Sequence, residues 1–297
     1  MKQQASRFAI RSAKAFVAAM AAACAGVATT GQAAAATAPA FGAYVSDTAI
    51  AAGGRQDYQL DGTGLVRASG MVEMPPTPYL DGDGTSFYAA SKASSAADIM
   101  SGALRVYTQA SGRMGVGAAA ASFFDTVTFY APAGFTGNTV QVTETLHVFG
   151  SVTGAHMDLN YWSGYWSASV YDPFHDATRH YGSITPGPTN FDVSLTLTLP
   201  VVAGVAQDRI SFSLVAYADA GCNECALTMD FGNTATVTQT LPQGWAFSSA
   251  SGVFLAPVPE PASAGLYLAG LGLMGWVAAR RRARGAQPRP QRLSVST

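Results

Sequence analysis

Across residues 41–255, apolar and polar residues alternate with period two in one segment after another. From 191 to 199 the alternation runs without error: Phe191, Val193, Leu195, Leu197 and Leu199 are apolar, and the residues between them are polar. Ile210, Phe212 and Leu214 alternate with Ser211 and Ser213. Leu227, Met229 and Phe231 form another series, which Ala235 and Val237 resume after Gly232-Asn233. Val140, Val142, Leu146 and Val148 share a face with one polar intruder, Glu144, and Trp166, Ala168 and Val170 share a further one. Successive side chains of a strand point to opposite faces, so such a period marks one dry and one wet side. The runs are rich in Val, Thr, Phe and Tyr and are bounded by turn-forming Gly, Pro, Asn and Asp. No segment makes a convincing amphipathic helix, residues 91–104 being the only candidate. Many short strands with almost no helix predict an all-β fold, an antiparallel β-sandwich (jelly-roll-like) with both inner faces in the core. No repeat or linker divides the region, so residues 37–257 are expected to form one domain.

The two ends break the pattern. Lys2, Arg7, Arg11 and Lys14 precede an uncharged apolar run over 15–28, which small residues offering A-x-A-like cleavage sites follow. This predicts a signal peptide over about residues 1–36, a helix too short for a comfortable membrane span. Cys24 offers a second route, a lipoprotein signal, but Ala21-Ala22-Ala23 before it lacks the usual leucine. At the other end, nineteen uncharged residues separate Glu260 from Arg280. As a helix they reach about 28 Å, enough to cross a hydrocarbon core once. The arginines that follow keep to the cytoplasmic side, which places the body outside and agrees with the signal peptide. Residues 285–297 read as a disordered polar tail.

Val258-Pro259-Glu260-Pro261, a Gly/Leu-rich span and Arg280-Arg281-Arg282 together resemble the PEP-CTERM sorting signal of Gram-negative bacteria. In that family a Pro-Glu-Pro motif, one transmembrane helix and a basic cluster form the tail over 258–284. The resemblance implies that an exosortase, a membrane processing enzyme, reads Pro259, Glu260, Pro261 and the Arg280–Arg282 cluster after Sec-type export. It also implies an exopolysaccharide-producing host. The chain would be anchored in the inner membrane in transit and then reach the outer surface or the extracellular space. Residues 227–255, through Asp230-Phe231, Asn233-Thr234-Ala235 and Ser249-Ala250-Ser251-Gly252, resemble a stretch found just before such tails. Phe123-Phe124-Asp125-Thr126 is similar to an upstream strand of the same proteins.

Charge sharpens this reading. Ten of the 17 basic residues lie in the two ends, leaving 7 basic against 17 acidic residues between 41 and 257. A body near −10 is a poor partner for nucleic acid, whose phosphates demand Lys and Arg. Cys222 and Cys225 are the cysteines that remain after signal removal, and an oxidising compartment predicts a disulfide between them. Zinc would need two more ligands, and a thioredoxin-like site would need a helix where strand residues follow. Asp81-Gly82-Asp83-Gly84 looks like half a calcium loop but lacks the later ligands, so a turn is expected. Glu144 is a candidate carboxylate, expected at an edge or paired with an arginine, with no second carboxylate assigned to it. Tyr161, Tyr165 and Tyr171 alternate against the Trp166 face and form a candidate carbohydrate-binding row, unless that face is buried as well. His175 and His180 lie near a Pro/Asp turn at a spacing that points only weakly to metal. No nucleophile elbow, zincin motif or phosphate loop occurs. The expected protein is therefore an exported matrix or surface protein, not an enzyme and without cofactor. A carbohydrate-binding module is the alternative and an extracellular hydrolase the third reading.

Overall fold

The computed structural model describes residues 40–80, 84–137, 139–155, 162–171, 176–182, 189–205 and 210–255. Their regular elements are all strands: β1 (Phe41–Ala51), β2 (Gly54–Leu60), β3 (Arg67–Leu80), β4 (Ser86–Asp98), β5 (Ala103–Ser111), β6 (Gly115–Asp125) and β7 (Val127–Tyr130). They continue as β8 (Thr139–Ala155), β9 (Trp162–Tyr171), β10 (Asp176–Gly182), β11 (Thr189–Val202), β12 (Ile210–Ala220), β13 (Ala226–Thr240) and β14 (Ala246–Ser249). The signal peptide, the transmembrane helix and the terminal tail expected from the sequence lie outside the described residues.

Two six-stranded antiparallel sheets pack face to face. Sheet A has the order β10-β9-β12-β6-β1-β2, sheet B the order β11-β8-β13-β5-β4-β3, and β14-β7 form a separate ribbon. This is the all-β, two-sheet architecture that the alternation predicts. Consecutive strands repeatedly cross from one sheet to the other. Where β12 pairs with β9 in sheet A, β13 pairs with β8 in sheet B; where β12 pairs with β6, β13 pairs with β5. The chain therefore forms ribbons bent across both sheets, the winding of jelly rolls.

Residues 91–104, the single helix candidate, form the end of β4, a turn and the start of β5, in keeping with the expectation of almost no helix. Alanine favours helices, but Ala89, Ser91, Ala93, Ser95 and Ala97 point inward at period two and are buried against β1 and β6. Packing of that face overrides the local preference.

The core has two unlike halves. Around β9, β12 and β13 it is aromatic: Trp166 lies 5.0 Å from Phe231 and 5.2 Å from Phe191, ring centre to ring centre, and Phe123 lies 5.2 Å from Phe212. Each such side chain contributes roughly 1.5–3 kcal/mol by leaving water. Around β1, β4, β5 and β6 the interior is built from Ala49, Ala93, Ala110 and Ala119, and the backbones come close. A Cβ on Gly117 would sit 2.7 Å from the Lys92 carbonyl oxygen and 2.8 Å from that of Gln109, both in the opposite sheet. In β13, Phe231 opposes Val106 and Ala235 opposes Leu104, so a bulge absorbs the Gly232-Asn233 turn signal and returns the chain to the same face.

Candidate functional site

Alternation along β9 buries Trp166, Ala168 and Val170 in the core and turns Tyr165 and Tyr171 to the outer face of sheet A. Both tyrosines are half-buried there. Tyr161, their expected companion, lies outside the described residues. The ring of Tyr165 instead stacks on Tyr217 of β12, with centroids 5.3 Å apart and planes 17° from parallel. Registry explains the pair, since Tyr217 stands directly opposite Tyr165. Burial pushes the Tyr165 hydroxyl up to about 12 and raises that of Tyr217 further, with the Asp219 carboxylate adding to the second. Ser167, Ser169, Ser211, Ser213 and Ser122 pave the face between this stack and a second one, Tyr44 on Phe124 at 5.7 Å. Tyr217 was legible in the sequence as the outward partner of Ser211 and Ser213, but its pairing with Tyr165 depends on which strands are neighbours.

Cys222 and Cys225 form a disulfide in the turn between β12 and β13, with Cα atoms 5.0 Å apart. The turn is tied to its surroundings: the Tyr79 hydroxyl donates to Asn223 Oδ1 at 2.6 Å, and the Gly112 amide donates to the Cys225 carbonyl at 2.9 Å. Among the described residues no group of three His, Cys, Asp or Glu side chains is placed to hold a metal ion. Asp81, Asp83 and His175 lie outside those residues. His180 belongs to β10, where its backbone opposes Ser167.

Glu144 is neither at an edge nor paired with an arginine, which corrects the expectation. It sits in β8, between β11 and β13, and points into the core. Its neighbours across the sheet are Leu197 and Gln239, and Gln239 Nε2 donates to Glu144 Oε1 at 2.5 Å. Burial pushes the carboxyl up to about 7. The other two polar atoms of the pair, Glu144 Oε2 and Gln239 Oε1, are acceptors without a partner, so a proton on Glu144 supplies the donor this pocket lacks.

Asp47, on the inward face of β1 among alanines, went unmarked in the sequence. It is buried beside Ser95, whose proximity offsets part of a burial effect that lifts its pKa to about 6. Neither Asp47 oxygen reaches a donor in good hydrogen-bond geometry. The interruption of an Ala/Val series by one Asp was the available signal.

The two segments that resemble stretches of PEP-CTERM proteins meet in space. Ser251 donates to the buried Asp125 carboxylate through its amide, at 3.2 Å, and through its hydroxyl. The Ala250 amide donates to the Thr126 carbonyl at 2.9 Å, and Ser249 Oγ accepts from the Phe254 amide at 3.2 Å. The turn after β14 is thereby fastened to the end of β6.

Residues 257–282 match the family model of the PEP-CTERM protein-sorting motif. The match contains Pro259, Glu260, Pro261 and Arg280 to Arg282, all outside the described residues. The chain thus carries the signal of an exported protein, sorted to the cell surface and processed by exosortase. No curated protein matches the chain.

Proposed function

We propose that the protein is a non-catalytic structural component of the cell surface or of an exopolysaccharide-associated matrix, with the sandwich as its extracellular body. The observation that carries this reading is the sorting motif at 257–282, which directs a β-rich domain to the outside. The fold supports it: two sheets wound as bent ribbons, a disulfide-closed turn and a largely hydroxyl-bearing surface suit a durable exterior module. The test is mass spectrometry of the protein recovered from the cell surface and the surrounding matrix. Recovery with both ends trimmed, in the exopolysaccharide fraction, is the expected result. Full-length protein confined to the cytoplasm overturns the reading.

A second reading, carbohydrate binding, draws on the half-buried Tyr165, which stacks on the buried Tyr217, and on the half-buried Tyr171 beside a serine-paved face. Aromatic faces beside hydroxyls suit sugar rings, each aromatic contact contributing about 0.5–1.5 kcal/mol. Tyr165→Ala is expected to weaken retention on immobilised exopolysaccharide about three- to tenfold. Unchanged retention eliminates that face as the contact.

A further inference from the structure

We propose that the outer edge of β11 over residues 193–199, to which no strand pairs among the described residues, is a homotypic docking edge, which pairs with the β11 of a second copy to join two B sheets into one. A bare strand edge presents a row of unpaired amides and carbonyls, and stable proteins blunt such edges with prolines, charges, bulges or short length. Among the described residues, three of the four edges of the two six-stranded sheets are blunted in these ways. β3 contains Pro75, Pro76 and Pro78, carries Arg67 and Glu73, and shifts register between Met74 and Thr77. β2 has 7 residues and an Arg55–Asp57 ion pair, and β10 has 7 residues including Asp176 and Arg179.

β11 has none of these protections along its middle. It runs 14 residues against β8 in one register without a bulge, and among the described residues no strand pairs with its other side. It has no Lys or Arg, and its proline, Pro200, stands near the end. Its one charge, Asp192, accepts a 2.6 Å bond from His147 Nε2 on β8. The stretch from 193 to 199 combines high β-propensity with no charge, the composition that pairs strand to strand.

The sequence of β11 fits a second copy of itself. Residues 193, 195, 197 and 199 point toward the core and 192, 194, 196 and 198 away from it. Antiparallel pairing centred on Leu195 or Thr196 therefore sets inward apolar residues against inward apolar residues, and hydroxyls against hydroxyls. It also keeps the two Asp192 carboxylates about 20 Å or more apart along the strands, beyond the roughly 8 Å reach of charge in physiological salt. The body is strongly acidic elsewhere, with 16 acidic against 7 basic residues. β11 is thus a surface on which two copies meet without facing each other's charge. The joined sheet extends a hydroxyl face that already carries the cross-strand rows Thr198–Thr143–Thr240 and Thr196–Thr145–Thr238.

The test is sedimentation of the exported protein, purified in mild detergent, over a range of concentrations. A reversible monomer–dimer equilibrium is expected. S194K/T196K sets lysines opposite one another across the two-fold axis and should raise the dimer dissociation constant about tenfold or more. A protein that stays monomeric throughout overturns the proposal, as does a dimer that the lysines leave unchanged. Hydrogen exchange of the unaltered protein gives an independent reading should the variant fold poorly. Amides of β11 should gain protection as dimer forms, and protection gained elsewhere instead would place the interface on another surface.

Discussion

Glu144 is a carboxyl group at a position where the alternation calls for an apolar residue. Folding raises its pKa from 4.5 to about 7, so the folded state holds this proton more tightly than the unfolded chain does. Its contribution is therefore fully favourable below about 4.5 and is lost as pH rises toward 7, a penalty of up to about 3 kcal/mol once ionised. Asp47, raised from 3.8 to about 6, acts in the same direction over a lower window. The denaturation midpoint should fall between pH 5 and pH 8, and Glu144→Gln should remove most of the fall above pH 6. An unaltered pH profile in that variant would show that Glu144 is not the group responsible. The residue stood out in the sequence, but its partner did not, because Gln239 reaches it only through the pairing of β13 with β8. The disulfide was the more legible feature, from isolation and compartment alone. Cys222→Ser with Cys225→Ser should cost no more than about 2 kcal/mol, since the closed loop is short. Thiol labelling of the unreduced protein should leave both cysteines unmodified.

At the level of strands, the narrow seam between β4–β5 and β1–β6 depends on the absence of side chains as much as on their presence. Gly117 faces two backbone oxygens of the opposite sheet, which cannot step aside as a flexible side chain would. Gly117→Val should destabilise the domain by about 2–3 kcal/mol and lower its melting temperature by about 5–10 °C. Gln141→Val, on the exposed face of β8, should change stability by less than about 0.5 kcal/mol. A Gly117→Val protein as stable as the parent would mean that the sheets are not in contact there. The same seam explains where sequence reading failed. Strands such as β11 and β12 announce themselves because large apolar residues alternate with Ser and Thr. In β4 the inward positions are Ala and Ser and the outward ones include Ala90, Ser94 and Ala96, so the two faces differ too little in hydropathy to show a period. Which strands neighbour one another was hidden for a different reason. Pairings such as β5 with β13 join residues more than a hundred positions apart, and alternation records a face but not a partner.

For the molecule as a whole, charge divides the sequence into two basic ends and an acidic body, and the sorting motif at the C-terminal end directs that body outside. The sorting tail was legible because its parts, a Pro-Glu-Pro motif, an apolar run and an arginine cluster, stand in order within residues 257–282, the stretch that matches the family model. The chemistry of the body was not, because sheets built from Thr, Ser and Ala can serve many purposes with the same residues. The sorting tail therefore allows the most direct test of function. Proline fixes φ and lacks an amide donor, so Pro259 and Pro261 disfavour helix at the motif. We propose that the apolar residues 262–279 hold the chain in the bilayer and that Arg280, Arg281 and Arg282 oppose passage outward. Glu260 is the one charge between residue 257 and that apolar run, and on this proposal it is the feature that exosortase reads. Glu260→Ala should leave export intact and block processing, so that an uncut, membrane-retained form accumulates, measurable by fractionation and intact mass. Replacing the three arginines with serine should act at the other step and loosen retention, with protein escaping before it is processed. Release of the Glu260→Ala protein at the wild-type rate and mass would mean that the carboxylate is not what the enzyme reads.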